Sequence, residues 1–311
     1  MKKTILFVIF SLFGLFMYAQ NEASNWYFGE NAGIKFNANG SVSNLTDGML
    51  DTVEGCTTIS DDNGDLLFYT DGITVFNKLH QPMSNNDLFG DPSSTQSAIV
   101  IPKPDDLNIY YIFTVDTSNS LNSPSNLGFN YSIVDLTLNG GLGDVTSKNI
   151  NLLQASSEKI SAVLKDCESK SIWVITFANA NGLNSNFYDT FYAYEISNLG
   201  INTTPVPSPF NFSINDPRGY LKLSPDGTKL ASANSSNGLY LFDFDKATGI
   251  VSNPTLLNIN FTPPAGKIQA PYGVEFSPQS TKLYCSTHDG INNKLYQFDL
   301  KNLNIPICFI T

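Results

Sequence analysis

Two stretches of the chain share one pattern of apolar and polar positions. Residues 219–249 read GYLKLSPDGTKLASANSSNGLYLFDFDKATG, and residues 272–302 read YGVEFSPQSTKLYCSTHDGINNKLYQFDLKN. Their Ser-Pro pairs lie 53 residues apart (277 − 224). Their Leu-Tyr pairs lie 56 residues apart (295 − 239), so the second copy has three more residues in between. A sequence period of this size is typical of a solenoid, an array or a propeller.

The first copy contains segments with the alternation of β-strands. An apolar strand runs from Tyr220 to Leu223, a second strand from Lys229 to Ala233 pairs back, and a third from Leu239 to Phe244 has alternating side chains. Residues 225–227 supply a tight turn between the first two strands, because proline fixes φ and glycine tolerates a positive φ. A turn at 246–249 leads to a short fourth strand. Four short antiparallel strands make one blade of a β-propeller.

Weaker copies of this unit occur upstream. Residues 56–60, the Asn-Gly turn at 63–64 and residues 66–70 read as strand, hairpin and strand. Residues 160–164, the turn at 166–170 and residues 172–177 form a similar unit. The residues that close the first strands of five units are apolar: Ile59, Ile101, Leu164, Leu223 and Phe276. Residues 25–36 have the pattern of outer strands of a further blade. We therefore predict an all-β fold, a β-propeller of four-stranded antiparallel blades with five blades visible and a partial N-terminal one.

The first residues have the parts of a secretory signal peptide. Lys2 and Lys3 precede a mostly apolar run from Ile5 to Met17, and the small residue Ala19 stands before Gln20. The apolar run is too short for a membrane anchor, which needs roughly 20 such residues. We predict a signal peptide at 1–19, a single β-propeller domain at 20–311, and no membrane span.

The last residues, 306–311, read PICFIT and form an apolar run without a polar tail. Two interpretations follow. Either this strand closes the ring against the N-terminal segment, or the propeller is truncated at its C-terminus. An open ring would expose strand edges and apolar blade faces, which natural proteins avoid. The sequence leaves both interpretations open.

Charge and cysteine usage narrow the choice of partners and environment. The formal net charge is −11, whereas a nucleic-acid partner needs a basic face, so we predict no nucleic acid. The same acidity also keeps an exported protein soluble. Four cysteines, Cys56, Cys167, Cys285 and Cys308, are widely spaced, and a domain of this size needs no disulfide staples. We expect buried or partly buried free thiols.

No residue pattern for catalysis or metal binding stands out. His80 and His288 lie in different units, whereas a zinc site usually shows closely spaced ligands. No G-x-S-x-G nucleophile elbow occurs. Residues 61–65 resemble a calcium loop, but Gly64 comes too early and Gly72 stands where the acidic ligand is needed, so a hairpin turn is favoured. We predict no catalytic residue, no metal and no cofactor.

Propeller geometry supplies the candidate site. The first strand of each blade lines the central channel, and its leading residue lies at one mouth. The residues five positions before the closing apolar residues are Glu54, Gln96, Lys159, Arg218 and Pro271. Convergent polar groups can orient a small polar ligand, so we predict ligand binding by Glu54, Gln96, Lys159 and Arg218. The alternative is that strand starts are polar because they are exposed.

Two long loops, at 116–130 and 178–189, offer a second site. They are rich in Asn, Ser and Gly and carry Phe129, Phe187 and Tyr188. Amides and aromatic rings together can hold a sugar polymer. The same composition is also ordinary for solvated loops.

Several long motifs resemble a known family. They are NWYFGENAGIKF, EGCTTISDDNGDLLFYTDGITVFNKLHQPM, SSTQSAIVIPKP, YYIFTVD, LNGGLGDV, GYLKLSPDGTKLA and YGVEFSPQSTKLY. They are similar to the N-terminal β-propeller of large bacterial surface proteins associated with gliding motility and type IX secretion. The SPDG turn is also shared with WD-like and YVTN-type propellers. Members of the group are longer, with further blades and a sorting domain, whereas this sequence stops 11 residues after Leu300 (311 − 300).

These observations predict a function at the cell envelope. We expect an exported, non-catalytic propeller that acts as a binding or adhesion module, with a polysaccharide or protein at the cell surface as its partner. It would be secreted or surface-bound, and periplasmic if no sorting domain follows. Two alternatives stay open: a propeller enzyme of lactonase or hydrolase type with its site at the channel mouth, and a truncated fragment of a larger surface protein.

Overall fold

The computed structural model describes residues 21–116, 127–183, 187–259, 270–288 and 293–301, and the backbone of 307–310. The predicted signal peptide at 1–19 lies outside the described residues. This described part of the chain contains β-strands, one 3-10 turn at Asn139–Gly141 and no α-helix. Within it, no helix is long and apolar enough to cross a membrane.

The strands form six antiparallel sheets, numbered in chain order. Sheet 1 contains β1 (Asn25–Phe28), β2 (Ala32–Phe36) and β3 (Val42–Leu45). Sheet 2 contains β4 (Thr57–Ser60), β5 (Leu66–Thr70) and β6 (Val75–Asn77). Sheet 3 contains β7 (Ala98–Pro102), β8 (Ile109–Val115), β9 (Phe129–Asp135) and β10 (Asp144–Leu153).

The remaining three sheets come from the second half of the chain. Sheet 4 contains β11 (Ile160–Leu164), β12 (Ile172–Ala178), β13 (Tyr188–Ser197), β14 (Gly200–Ile201) and β15 (Val206–Ile214). Sheet 5 contains β16 (Leu221–Leu223), β17 (Lys229–Asn234), β18 (Gly238–Asp245) and β19 (Ile250–Leu257). Sheet 6 contains β20 (Ala270–Phe276), β21 (Lys282–His288), β22 (Asn293–Asp299) and β23 (Ile307–Ile310).

This architecture confirms the predicted fold class, an all-β propeller of antiparallel blades. Sheets 3, 5 and 6 have four strands in sequence order, and in sheet 4 both β14 and β15 pair with β13. The strands predicted at Leu66–Thr70 and Ile160–Leu164 are β5 and β11, with the same bounds. The fourth strand predicted after residue 249 is not short, because β19 has eight residues.

The N-terminal blades are smaller than the template predicts. Residues 25–36 form β1 and β2, which join β3 in a sheet of their own. Strand β1 lies against β4, since the Tyr27 N–H donates to Thr58 Oγ1 at 3.0 Å and Asn25 Nδ2 donates to Ser60 Oγ at 2.9 Å. In the described part of the chain, sheets 1 and 2 have three strands each.

The C-terminal run forms the outermost strand of sheet 6. Strand β23 pairs with β22, where Cys308 lies opposite Tyr296 in the backbone register. Residues 307–310 therefore form the fourth strand of sheet 6. Pro306 and Thr311 lie outside the described residues.

The core lies between neighbouring sheets, which follow one another in chain order. Alternate residues of one strand face two different neighbours: Trp173, Ile175 and Phe177 pack toward sheet 5, whereas Val174 packs toward sheet 3. Full burial of one such side chain contributes roughly 1.5–3 kcal/mol. This face-to-face packing brings the starts of the first strands of the sheets together.

The repeated Ser-Pro turn has a hydrogen-bonding role that the sequence period does not reveal. Ser224 Oγ accepts the N–H groups of Thr228 at 3.2 Å and Lys229 at 2.9 Å. Ser277 Oγ accepts the equivalent two N–H groups at 3.2 and 3.1 Å. Both serines are buried. The serine recurs because it satisfies the backbone of the turn between the first two strands of a blade.

The thiols are free where the structure describes them. Cys285 is buried and Cys56 is half-buried, as expected. Cys167 is exposed, so the expectation of burial is wrong there, because this residue lies in the surface turn between β11 and β12. The side chain of Cys308 lies outside the described residues.

Candidate functional site

The chain segments that lead into β4, β7, β11 and β16 meet at one place, which Tyr272 of β20 also reaches. The Gln96 N–H donates to the Glu158 carbonyl at 3.2 Å, and the Gly219 N–H donates to Thr95 Oγ1 at 3.2 Å. We call this region the mouth and define it by Glu54, Thr95, Gln96, Glu158, Lys159, Arg218, Gly219 and Tyr272. All four residues proposed from the sequence belong to it, but their exposure and roles differ.

Arg218 projects from the mouth into solvent, with 58% of its side chain exposed. Its Nε and Nη2 donate to the two carboxylate oxygens of Asp216 at 2.8 and 2.7 Å, a bidentate geometry that fixes the guanidinium plane. Burial acts to raise the pKa of Asp216, but the hydrogen bonds from Arg218 and Ser236 hold it below its usual value. Arg218 thus presents an oriented positive charge.

Glu54 is exposed and carries the opposite charge at the same mouth. Its Oε2 accepts a hydrogen bond from the Tyr272 hydroxyl at 2.6 Å. Burial raises the pKa of Tyr272, and the hydrogen bond to Glu54 raises it further. The phenol therefore stays protonated and holds the carboxylate in place.

Gln96 is half-buried, and its side chain connects sheet 3 with sheets 4 and 5. Its Oε1 accepts the Leu221 N–H at 2.8 Å, and its Nε2 donates to the Leu221 carbonyl at 3.1 Å. The Ile160 N–H also approaches Oε1 at 3.4 Å. Both ends of the amide are thus engaged by the backbones of β16 and β11.

Lys159 is fully buried and binds the backbone of sheet 5. Its Nζ donates to the carbonyl oxygens of Arg218, at 3.0 Å, and of Gly219 and Ala233. Burial lowers the pKa of this ammonium to about 7, against the opposing effect of Glu158 and Asp216. The three donors of a lysine are all used here, so Lys159 supports the mouth from behind and has no donor left for a ligand.

Gly219 has the backbone conformation that this arrangement requires. Its φ is +107°, in the region that favours glycine. A Cβ atom at this position would lie 2.4 Å from the carbonyl oxygen of Ala233. A larger residue would therefore displace one of the acceptors that surround Lys159 Nζ.

Besides Gly219, three residues of the mouth are not selected by the sequence template: Thr95, Glu158 and Tyr272. Each is the immediate neighbour of a residue that the template selected, namely Gln96, Lys159 and Pro271. Because side chains alternate along a strand, a shift of one position selects the opposite face. A search that considered both positions at each strand start would have found them.

A cavity of about 320 Å³ has Ser235 in its wall, and the Ser235 N–H donates to the Arg218 carbonyl at 3.3 Å. Ser235, Ser236, Asn237 and Asn258 give it polar walls, and its apolar walls include Leu256 and Pro271. Ser236 Oγ donates to Asp216 Oδ2 at 2.6 Å, which connects the cavity wall to the carboxylate that orients Arg218. The cavity therefore combines hydroxyl and amide groups with an adjacent fixed charge.

The two loops considered for sugar binding are only partly described, since 117–126 and 184–186 lie outside the described residues. Phe129 and Tyr188 are fully buried core residues of sheets 3 and 4. Phe187 is exposed. Of the three aromatic residues chosen, one is therefore accessible to a sugar.

The other sequence candidates have structural roles. Asp61 Oδ1 accepts the N–H groups of Asn63 and Asp65 at 2.9 and 2.8 Å, which confirms the hairpin turn between β4 and β5. His288 Nδ1 lies 3.0 Å from Asn293 Oδ1, and residues 289 and 290 are not described. Among the described residues, no group of three or more His, Cys, Asp or Glu side chains is placed to hold a metal ion.

Six antiparallel sheets in chain order, with the starts of the first strands of sheets 2 to 6 converging on a polar mouth, define a β-propeller. No protein-family model matches the chain, and no curated protein matches it.

Three solved structures are similar to this chain. Hsv2 of Kluyveromyces lactis is 9% identical, over 91% of this chain and 72% of that one, with a TM-score of 0.43. The Cps50 (Swd1) β-propeller domain of Myceliophteria thermophila is 11% identical, over 94% and 87%, with a TM-score of 0.47. A protein from Lactobacillus plantarum is 17% identical, over 89% and 76%, with a TM-score of 0.46. The assignment as a propeller rests on the sheet topology described above.

Proposed function

We propose that this protein is an exported, non-catalytic β-propeller that binds a polysaccharide or a protein at the cell envelope through its mouth. The observation that supports this function is the pair of exposed, oppositely charged side chains, Glu54 and Arg218, each fixed by a neighbour. Tyr272 holds Glu54 and Asp216 holds Arg218. Side chains that are already oriented lose little entropy on binding a ligand.

The lining of the adjacent cavity favours a polyhydroxylated ligand. Serine and asparagine side chains donate and accept hydrogen bonds, while Leu256 and Pro271 offer apolar contact. A pyranose ring presents hydroxyl groups at its edge and C–H groups on its faces. A carbohydrate chain therefore fits this lining better than an anionic polymer, which the net charge of −11 would repel.

A binding assay with purified protein from Gln20 onward tests the proposal. We expect binding to a neutral or amino-sugar oligosaccharide on an array, and at least a tenfold loss of affinity in Arg218→Ala, since hydrogen bonds to a charged group contribute about 1.5–3 kcal/mol. Lys170→Ala is the matched control, because Lys170 is exposed and pairs with Asp105 at the far end of β11. Equal binding by both variants would contradict a site at the mouth.

The same preparation distinguishes the enzyme alternative. A divalent metal bound through Glu54, together with hydrolysis of a lactone or glycoside that Glu54→Gln abolishes, would replace the binding module by a propeller hydrolase. Glu54 is the exposed carboxylate of the mouth and is the residue to test first. Glycan binding without turnover supports the non-catalytic function.

The cellular location is part of the proposal. It rests on residues 1–19 and on the resemblance to surface propellers. Fractionation of the native host with an antibody against the propeller should find it outside the inner membrane, with a mature N-terminus at Gln20. A native product well above 34.0 kDa would identify this chain as part of a longer surface protein. A cytoplasmic product with Met1 retained would contradict export.

A further inference from the structure

Four oxygen atoms form a continuous chain across the mouth, from Glu54 to Glu158. The Tyr272 hydroxyl donates to Glu54 Oε2 at 2.6 Å and lies 3.0 Å from Thr95 Oγ1. Thr95 Oγ1 lies 2.9 Å from Glu158 Oε2, which also accepts the Thr95 N–H at 3.0 Å. We call these four side chains the acid chain. They join sheets 2, 6, 3 and 4 in that order.

The acid chain has three hydrogen-bond contacts, but its hydroxyl groups supply only two protons. A tyrosine and a threonine hydroxyl donate one hydrogen bond each, and an ionised carboxyl donates none. If both glutamates are ionised and the hydroxyls donate to them, the lone pairs of Tyr272 and Thr95 face each other at 3.0 Å. A third proton on one carboxyl group gives every contact a donor.

Of the two carboxyl groups, Glu158 is the one that carries this proton. It is 4% exposed, whereas Glu54 faces solvent. When protonated, Glu158 Oε2 donates to Thr95, Thr95 donates to Tyr272, and Tyr272 donates to Glu54. Thr95 Oγ1 then accepts from Glu158 and from the Gly219 N–H at 3.2 Å, which uses both of its lone pairs.

Some influences on Glu158 raise its pKa and others lower it. Burial has the largest effect on the pKa of Glu158 and raises it, and the charge of Glu54 on the β4 side adds to this. The hydrogen bonds from Thr95 and the charge of Lys159 on the β11 side oppose it. On the β16 side, Arg218 favours the ionised form but is paired with Asp216. The net direction for Glu158 is upward.

We propose that the acid chain stores one proton and acts as a pH-dependent latch that holds sheet 6 to sheets 2, 3 and 4 at the mouth. The hydrogen bond that depends on this proton is the one between Tyr272 and Thr95. When the proton leaves Glu158, Thr95 donates to the carboxylate, Tyr272 donates to Glu54, and no donor remains between the two hydroxyls. The latch is closed when protonated and loosened when ionised, whatever ligand the mouth binds.

The direction of the pH dependence follows from linkage. The pKa of Glu158 is raised in the folded state above its value in the unfolded chain, which is about 4.3. A raised carboxyl pKa contributes stability that is fully present below the unfolded value and is lost as the pH rises through the folded value. The latch therefore weakens as the pH rises from the unfolded-state pKa through the folded-state pKa of Glu158.

Carboxyl titration by NMR of the mature protein, with ¹³C-labelled glutamate, tests the stored proton directly. In the wild type, Glu158 should titrate above the ordinary glutamate range. In Tyr272→Phe the chain loses an oxygen, so the Thr95 proton suffices, and the Glu158 midpoint should fall by about one pH unit. Tyr284→Phe, in the same sheet but outside the chain, should leave the midpoint unchanged. An ordinary wild-type midpoint, or no shift in Tyr272→Phe, would overturn the proposal.

A second variant tests the latch through stability. In Glu158→Gln an amide N–H can donate to Thr95 Oγ1 at every pH, but the amide nitrogen cannot accept the Thr95 N–H that Oε2 accepts in the wild type. The variant should therefore be less stable at every pH, and it should lack the wild-type loss of stability above about pH 4.3. Thermal unfolding of both proteins between pH 4 and pH 8 measures this difference. A wild-type pH profile retained in Glu158→Gln would show that the stored proton does not control the mouth. If the variant fails to fold, the Tyr272→Phe titration decides the question.

Discussion

A buried lysine organises the backbone of the mouth. Lys159 Nζ lies among the carbonyl oxygens of Arg218, Gly219 and Ala233, which belong to the strand starts of sheet 5 and to β17. An ammonium group in such a place carries a desolvation cost, which three hydrogen bonds offset. The sequence pattern predicts ligand binding by Lys159, whereas in the structure Lys159 stabilises the backbone from which Arg218 extends.

Lys159→Met should destabilise the protein, because methionine fills the volume but leaves three buried carbonyl groups without this donor. We expect a loss of about 2–4 kcal/mol in the free energy of unfolding, since each unsatisfied buried group costs roughly 1–3 kcal/mol. Denaturant unfolding measures it. Lys170→Met, an exposed site paired with Asp105, is the control and should change stability by less than about 0.5 kcal/mol. Equal stability of the two variants would show that the carbonyls have other donors.

At the residue scale, the sequence predicts which strand starts converge but not which side chains face inward. Glu54 and Arg218 are exposed at the mouth, in agreement with the template. Glu158 and Tyr272 escape it, because the template selects one residue per strand start and each of them lies one position away from that residue. Which face points to the channel depends on how each sheet twists and packs, and this information is not in the repeat itself.

The Ser-Pro turn is the element that makes the repeat visible. In both copies the serine hydroxyl accepts two backbone N–H groups, from the residues four and five positions later. This arrangement closes the hairpin between the first two strands of a blade and supplies acceptors for backbone N–H groups of the turn. The serine therefore recurs in both copies for a local, structural reason.

Ser224→Ala should destabilise the propeller, because the Lys229 N–H loses the Ser224 hydroxyl as its acceptor and the Thr228 N–H keeps only Asp226 Oδ1, at 3.1 Å. We expect about 1–2 kcal/mol, the cost of a lost buried hydrogen bond with an unsatisfied partner. Thermal unfolding followed by circular dichroism measures the change. Ser213→Ala, at an exposed position of β15, is the matched control and should have little effect. An equal effect of the two substitutions would contradict a special role for the turn.

At the element scale, strands with strong alternation are predicted well and irregular ones are not. Strands β5 and β11 have the predicted bounds. Strand β3, with the sequence VSNL, has too few apolar residues for a pattern to emerge. Strand β19 is longer than predicted because Thr255 and Leu256 pair with Leu241 and Tyr240 of β18 beyond a register shift, and a shift of this kind is not visible in the sequence.

At the scale of the whole molecule, sheet 1 differs from the other blades. Trp26, Phe28 and Phe36 lie on its face away from sheet 2 and are 49%, 39% and 41% exposed. The inward face of the same sheet packs Tyr27 on Tyr69, with ring centroids 4.6 Å apart. The period and the alternation predict the propeller class, but they do not predict this exposed aromatic face, because it depends on which sheets become neighbours.

The central claim is that the strand starts meet at one mouth, so that residues far apart in sequence act together. Glu54 and Tyr272 are its most distant pair, 218 positions apart and joined at 2.6 Å. A double-mutant cycle with Glu54→Ala and Tyr272→Phe measures their coupling in the free energy of unfolding. The structure predicts a coupling of about 0.5–1 kcal/mol, since the pair is partly exposed. The cycle of Glu54→Ala with Tyr284→Phe should show none, and additivity of Glu54→Ala with Tyr272→Phe would contradict a common mouth.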